Sequence, residues 1–106
     1  MIAQAKEYLT SNSVSPFGKW FDDLSPDQAA KVTTAVARME AGNFSNVKSV
    51  GGGVSEYKID YGPGLRIYFA IEGRTIILLL GGGTKRRQGK DIEAAKERWR
   101  DHKGRK

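Results

Sequence analysis

The stretch VSEYKIDYGPGLRIYFAIEGRTIILLLGGGTK, residues 54–85, decides the fold because it reads as a three-stranded meander that ends in a basic loop. Apolar and polar residues alternate in its first two segments, which is the pattern of strands with one buried face. If residues 62–64 form a three-residue hairpin loop, Tyr61 pairs with Leu65 and Ile59 with Ile67. The third segment, TIILLL at 75–80, is apolar on both faces, and we expect it to be an inner or covered strand.

The same register gathers polar side chains on the other face of the hairpin. It places Asp60 opposite Arg66 and Lys58 opposite Tyr68, with Glu56 further along the first strand. We therefore expect a charged patch on the face that points away from the core.

Helix-capping residues divide the region before the meander. Ser15 and Pro16 predict the start of a short helix, and Ser25 with Gln28 has the spacing of a capping box that begins a longer one. The two helices should cover the apolar side of the meander. The predicted buried stripe of the longer helix is Ala29, Val32, Val36 and Met39.

The remaining segments complete an α+β domain. Residues 1–10 fit a short edge strand, and residues 44–53 have the composition of a connector. After the GGG at 81–83, which we expect to break the third strand, Ile92, Ala95 and Trp99 form a narrow stripe on a terminal helix. The prediction is a single domain over 1–106, with two amino-terminal helices on a small antiparallel sheet and a carboxy-terminal helix.

Composition limits the class of protein. A chain of 106 residues with 39% hydrophobic content suits one globular domain, and no cysteine is present to form disulfides or thiolate sites. The longest apolar run, 76–80, is too short to cross a membrane, and the amino terminus lacks the apolar stretch of a secretory signal. We expect a cytoplasmic protein without a membrane partner.

The positive charge is confined to one end of the chain. Residues 1–84 contain eight basic and eight acidic residues, whereas residues 85–106 contain ten basic and four acidic ones, which accounts for the net charge of +6. Such a concentration of positive charge indicates a polyanionic partner, most often nucleic acid. A solvated basic helix that only aids solubility explains the charge equally well.

Familiar catalytic motifs are absent from the sequence. The glycines at 81–83 lack the spacing of a phosphate-binding loop, and the single histidine, His102, has no partners at the spacing of metal ligands. We therefore expect no metal and no cofactor. What remains is a set of Arg, Lys, Tyr and Glu side chains, which is chemically sufficient to cleave RNA, because RNA supplies its own 2′-hydroxyl nucleophile.

Each member of this set also has a purely structural explanation. Arg66 can form a surface salt bridge with Asp60, worth roughly 0 to 1 kcal/mol. Tyr68 can be an ordinary half-exposed strand aromatic, and residues 85–87 an ordinary basic loop. From the residues alone both interpretations stay open.

The ordered segments SPFGKWFDDL, GNFSNVK, GVSEYKIDYGPGLRIYF and GGGTKRRQGKDIEAAK resemble the RelE/ParE superfamily of bacterial toxins, over about residues 8–103. The resemblance is closest to its HigB-like branch of putative addiction module killer proteins. It implies a RelE-like toxin domain, an mRNA endoribonuclease that acts on the translating ribosome, and a cognate antitoxin of the helix-turn-helix type. Operator DNA would be bound only through that antitoxin.

The resemblance also implies roles for individual residues. Arg66 matches the strand arginine that contacts the scissile phosphate, and Lys85 matches the basic residue at the end of the following strand; these two are the expected catalytic cations. Tyr68 is the candidate for orienting a base or moving a proton. Glu56 is a possible supporting residue. The residues expected to bind RNA or the ribosome are Lys58, Arg86, Arg87 and Lys90. Two departures from the family pattern, Leu65 and Thr84, affect expected substrate contacts without removing a basic group.

Two other functions fit the same fold. One is a ParE-like gyrase poison, which acts by binding rather than by cutting RNA. The other is a non-catalytic member that only binds an antitoxin. In every case we expect the antitoxin to bring a carboxylate-bearing segment to the basic face.

Overall fold

The computed structural model describes residues 3–105 and contains a five-stranded sheet with three helices. The elements in chain order are β1 (Gln4–Glu7), α1 (Pro16–Asp22), α2 (Pro26–Glu40), β2 (Val47–Gly51), β3 (Val54–Ile59), β4 (Leu65–Glu72), β5 (Ile76–Thr84), a 3-10 turn (Lys85–Arg87) and α3 (Gln88–Gly104). The α+β class and the three predicted helices are confirmed.

The sheet is larger than the predicted meander and is mixed rather than antiparallel. Its strand order is β1-β5-β4-β3-β2, and β1 runs parallel to β5 while all other pairs are antiparallel. The edge strand expected within residues 1–10 is confirmed by β1, although positions 1 and 2 lie outside the described residues. The connector predicted over 44–53 is wrong, because β2 and the turn that joins it to β3 occupy most of it.

The predicted hairpin register is wrong by two residues. Ile59 pairs with Leu65 and Lys58 with Arg66, so the loop spans residues 60–64 rather than 62–64. The longer loop closes on itself, since the Gly64 amide donates to the Tyr61 carbonyl at 3.1 Å. Because the shift is even, every side chain keeps its predicted face.

Helices α1 and α2 cover one face of the sheet, as predicted. Ser15 caps α1 by accepting from the Gly18 amide, and Ser25 and Gln28 form the predicted capping box of α2. The buried side chains of α2 are Val32, Ala35 and Met39, so Ala35 takes the central place that the sequence predicts for Val36. These pack with an apolar set from the sheet: Tyr57, Ile59, Leu65, Ile67, Phe69, Ile77 and Leu79.

Helix α3 covers the opposite face, which the sequence had predicted to be free. Its buried residues Ala95 and Trp99 pack against Tyr68 and Leu80 of the sheet. The predicted outward-facing patch is therefore wrong in part, because Glu56 and Arg66 are buried on this face as well. An inner strand with apolar residues on both faces needs cover on both sides, which is the physical reason for the third layer.

The glycine run does not break the third strand but lies within β5. A Cβ atom on Gly82 would overlap the ring of Trp20 from α1, and one on Gly83 would overlap the Asp91 carboxylate from α3. Two helices thus approach the strand from opposite sides at a distance that only glycine permits. The run serves helix packing, and it brings the start of α3 close to the end of the sheet.

Candidate functional site

A groove of about 840 Å³ opens at the end of the sheet where β3 and β4 meet the 60–64 loop. It reaches from the exposed side of α2, across the hairpin, to the basic turn that precedes α3. Its charged lining consists of six basic and two acidic residues: Lys31, Arg38, Lys48, Lys58, Arg66, Lys85, Glu56 and Asp60. The excess of positive charge makes this groove suited to a polyanion.

Arg66 and Lys85 come together at the inner end of the groove. The Lys85 amide donates to the Gly64 carbonyl at 2.8 Å, which holds the basic turn against the hairpin loop. A Cβ atom on Gly64 would lie 3.2 Å from Arg66 Nη1 and 3.3 Å from Lys85 Cβ, so both side chains flank the same point. The two residues that the sequence paired are therefore neighbours in the fold.

Glu56, which lies next to Arg66, connects several polar groups of the site. Its Oε1 lies 3.8 Å from both Arg66 Nε and Lys48 Nζ, and its Oε2 accepts a hydrogen bond from Gln88 Nε2 at 2.7 Å. Glu56 is 1% exposed and Arg66 4%, whereas Lys48 is 68% exposed. A buried carboxylate requires a partner, so Arg66 and Gln88 hold this one while Lys48 adds little.

The Arg66 guanidinium keeps donors to spare. One bond, from Nη1 to the Leu65 carbonyl at 3.3 Å, joins it to the backbone, and Nε has no hydrogen-bond partner. The predicted salt bridge between Arg66 and Asp60 is wrong. Asp60 is exposed in the loop, and the residue opposite Arg66 on the neighbouring strand is Lys58. Arg66 lines the groove, so the Nη donors that the protein leaves unused can bind a ligand there, whereas the buried Nε cannot reach one.

Tyr68 lies behind the groove and does not line it. The side chain is fully buried, so the prediction of a half-exposed strand aromatic is wrong. Tyr68 lies opposite Glu56 on the neighbouring strand. Its hydroxyl has no well-formed hydrogen bond. Burial, followed by the nearby Glu56 carboxylate, raises the pKa of the Tyr68 phenol far above its usual value. The hydroxyl therefore keeps its proton.

Two polar residues of α3 belong to the site although the sequence did not predict them. Gln88 reaches Glu56, and Asp91 lies over Gly83 with its Oδ2 buried and without a hydrogen-bond partner. Burial raises the pKa of the Asp91 carboxyl, while Arg87 and Arg98 act against this shift. Three consecutive glycines before a helix were the sequence feature that could have indicated such a close approach.

The other predicted basic residues lie beside the inner site. Lys58 is exposed and lines the groove next to Arg66. Arg86, Arg87 and Lys90 are exposed on the turn and the start of α3, outside the groove lining.

The described part of the chain, residues 3–105, has no cluster of three or more His, Cys, Asp or Glu residues that could hold a metal ion. His102 lies at the far end of α3, where its Nε2 is 3.0 Å from Glu72 Oε2 and its ring stacks on Trp99. In the same residues, no helix has the length and apolar character needed to span a membrane.

Comparison with known proteins gives a family for this fold and groove. Residues 19–100 match the family described as phage-derived protein Gp49-like. The chain belongs to this Gp49-like family. The family is part of the addiction-module toxins of toxin–antitoxin systems, in agreement with the coarser part of the RelE/HigB resemblance. An uncharacterized protein of Haemophilus influenzae (strain Rd) is similar, being 38% identical over 97 residues, which cover 91% of this chain and 92% of the relative.

The site of this Gp49-like protein combines three chemical capacities in one place. Arg66 and Lys85 present fixed positive charge, Glu56 presents an oriented carboxylate, and Gln88 holds that carboxylate from the helix side. Such a set can bind a phosphate, stabilise negative charge that develops on it, and accept a proton.

Proposed function

We propose that this Gp49-like protein is the toxin of a type II toxin–antitoxin module and that it cleaves messenger RNA on the translating ribosome. The supporting observation is that Arg66 and Lys85 flank one point of a basic groove whose lining also includes the held carboxylate of Glu56, 3.8 Å from Arg66 Nε. In this proposal the whole chain, 1–106, is one RelE/HigB-like toxin domain that acts in the cytoplasm.

The proposed reaction is the transfer of the scissile phosphate to the neighbouring 2′-oxygen. Glu56 takes the proton of the 2′-hydroxyl, the 2′-oxygen to phosphorus bond forms, and the bond from phosphorus to the 5′-oxygen breaks. Arg66 and Lys85 stabilise the extra charge of the pentavalent state, and Lys85, which is exposed, gives a proton to the departing 5′-oxygen. Glu56 takes the role that the sequence had offered first to Tyr68, because Tyr68 is behind the groove wall.

The groove also suggests the path of the RNA on both sides of the reacting phosphate. On one side lie Arg86, Arg87 and Lys90 of the basic turn and α3, and on the other lie Lys31 and Arg38 of α2. Lys58, next to Arg66, lies in the middle. An RNA strand that follows these cations would cross the end of β3, where the Lys58 amide donates to the Asn46 carbonyl of the preceding segment.

Expression of the protein in growing cells, followed by mapping of messenger RNA ends, tests the proposal. We expect growth arrest with new 5′ ends inside translated regions, and the loss of both effects in Lys85→Ala. The matched control is Arg74→Ala, which removes an exposed cation from the turn at the other end of the β4–β5 hairpin. Growth arrest with intact messages would refute cleavage.

The rival functions give different results in the same experiment. A gyrase poison would leave messages intact and accumulate broken DNA, and a non-catalytic antitoxin-binding member would not stop growth.

The proposed regulator is a cognate antitoxin, and a small helix-turn-helix protein is the expected type. Because the groove lining has six cations and two acids, we expect an acidic segment of the antitoxin to occupy it. A complex in which the antitoxin contacts only α1 and leaves the groove open would refute direct masking.

A further inference from the structure

The lining of the basic groove includes an aromatic ring that is open to a ligand. Of the two tyrosines in the lining, Tyr57 is only 3% exposed, whereas Tyr61, in the loop that joins β3 to β4, is half-buried. Part of the Tyr61 side chain packs against the apolar core, and the rest faces the groove. An aromatic ring beside cations is the kind of surface on which unpaired bases of single-stranded nucleic acids stack.

The backbone holds Tyr61 on both sides. Its amide donates to the Ile59 carbonyl at 3.0 Å, and its carbonyl accepts from the Gly64 amide at 3.1 Å. The second bond closes a four-residue turn, whose first and last Cα atoms lie within about 7 Å of each other. The Gly64 carbonyl accepts from the Lys85 amide at 2.8 Å, and Gly64 is the point that Arg66 and Lys85 flank. The loop therefore fixes the tyrosine beside the two cations of the site.

A cation lies over one face of this ring. Lys31 of α2 is exposed and lines the groove, and its Nζ lies 5.2 Å from the centroid of the Tyr61 ring. An ammonium is attracted to the electron-rich face of an aromatic ring, and the attraction is weak where both groups are in contact with water. Since an exposed side chain reaches this face, the core does not cover it.

We propose that the Tyr61 ring is a stacking site for an unpaired nucleobase on the α2 side of the reacting phosphate. The inference rests on the function proposed above, which makes RNA the ligand of the groove. In the free protein the Lys31 ammonium covers the ring. When RNA binds, Lys31 pairs with a phosphate, and the base takes its place on the ring.

A purely structural role for Tyr61 is the alternative. Packing against the core requires an apolar side chain and does not require a ring. The hydrogen bonds that set the loop come from the backbone, so a change of side chain leaves their donors and acceptors in place. Tyr61→Leu keeps an apolar group and removes the aromatic face, whereas Tyr61→Phe keeps both. These two variants therefore separate stacking from packing.

The test is the binding of a short RNA that consists of uridines and one 2-aminopurine. All its 2′-oxygens are methylated, so that they cannot attack the phosphate. Uridines stack weakly, so the purine sets the register, and its fluorescence is quenched when it stacks on a ring. We expect the wild-type chain to quench this fluorescence. Tyr61→Leu should abolish the quenching and weaken binding by roughly fivefold or more, whereas Tyr61→Phe should retain both. Phe44→Leu, at an exposed aromatic outside the groove lining, is the matched control and should behave as the wild type.

Salt dependence and removal of the base distinguish stacking from charge. Stacking releases no counterions, so Tyr61→Leu should lower the affinity by the same factor at every salt concentration, whereas Lys31→Gln should reduce the slope. Replacing the 2-aminopurine by an abasic residue should weaken binding to the wild-type chain and leave binding to Tyr61→Leu unchanged, because ring and base act as a pair. An equal effect of the abasic residue on both proteins, unchanged affinity in Tyr61→Leu, or no RNA binding by the wild-type chain would overturn the proposal.

Cleavage is scored separately, by the mapping of messenger RNA ends in cells. If the wild-type chain stacks the base and no message is cut, the proposed cleavage fails and the stacking site stands. If messages are cut while Tyr61→Leu binds RNA as tightly as the wild type, the stacking site fails and the cleavage stands.

Discussion

The two faces of the sheet are buried by different means. The face under α1 and α2 is closed by apolar side chains such as Met39, Leu65 and Phe69. The face under α3 is apolar only toward the end of the helix that carries Trp99, and around Glu56 and Arg66 it encloses charge. In residues 3–105, the buried side-chain polar atoms without hydrogen-bond partners all belong to this second face.

This difference separates the part of the molecule that stabilises the fold from the part that bears chemistry. Apolar burial stabilises the fold without requiring a specific partner. A buried ion pair adds little net stability, because the cost of removing its charges from water offsets most of their attraction. Polar groups kept in that setting are typical of functional sites, where strain and unmet hydrogen bonds are retained for use.

The largest effect on stability is expected on the apolar face. Phe69 is 1% exposed, and Phe69→Ala should lower the free energy of unfolding by about 3–5 kcal/mol, because it removes a ring from a close-packed core. Denaturant titration measures this loss. A loss below about 1 kcal/mol would show that packing on the apolar face contributes little to the free energy of unfolding, and the difference between the two faces would then not hold.

A smaller but still large loss of stability is expected when the buried carboxylate on the charged face loses its cationic partner. Arg66→Ala should cost about 3 kcal/mol, since it leaves the Glu56 carboxylate buried without its cation. Adding Glu56→Gln to that variant should recover most of the loss, because the remaining group is neutral and Gln88 can still bond to it. If the double variant is no more stable than the single one, Arg66 stabilises through packing instead.

The sequence predicted the apolar face better than the charged one. Alternation in 54–71 and the capping residues Ser15 and Ser25 fixed which side chains point to α1 and α2, and a register error of two residues left that assignment intact. The periodicity of a strand indicates which face of the sheet each side chain is on, and this assignment does not change when the register shifts by an even number of residues.

The charged face depended on contacts that periodicity does not report. The sequence identified Arg66 and Lys85 through a resemblance, and the fold brings them together. It did not identify Gln88, which reaches Glu56 of β3, or Asp91, which lies over Gly83 of β5, because both contacts follow from the path of α3 over glycines whose pattern predicts a break. Local patterns could not predict how closely a helix 17 residues long approaches the sheet.

The exposed rim of the groove should affect affinity rather than stability. Lys31→Gln and Arg38→Gln, in a Lys85→Ala background that prevents cleavage, should each reduce the slope of log K against log salt by roughly 0.7 for a single-stranded RNA. Their unfolding should be unchanged, because both side chains are exposed. Arg74→Gln, far from the groove, is the control, and equal slopes in all three variants would exclude α2 from the RNA path.

The smallest expected effect is a change with pH at Asp91. Burial raises the pKa of this carboxyl above its ordinary 3.8, so the folded protein holds the proton more tightly than the unfolded chain does. Between those two values stability must fall as pH rises, and the cost is complete above the folded pKa. Asp91→Asn removes the titration, so its stability relative to wild type should increase as the pH rises above the ordinary value of 3.8 and level off above the folded pKa. Denaturant titrations at several pH values test this, with Glu93→Gln as the exposed control. A stability difference that decreases as the pH rises would mean that the arginine neighbours stabilise the Asp91 carboxylate. The ionised carboxylate would then stabilise the charged face instead of destabilising it.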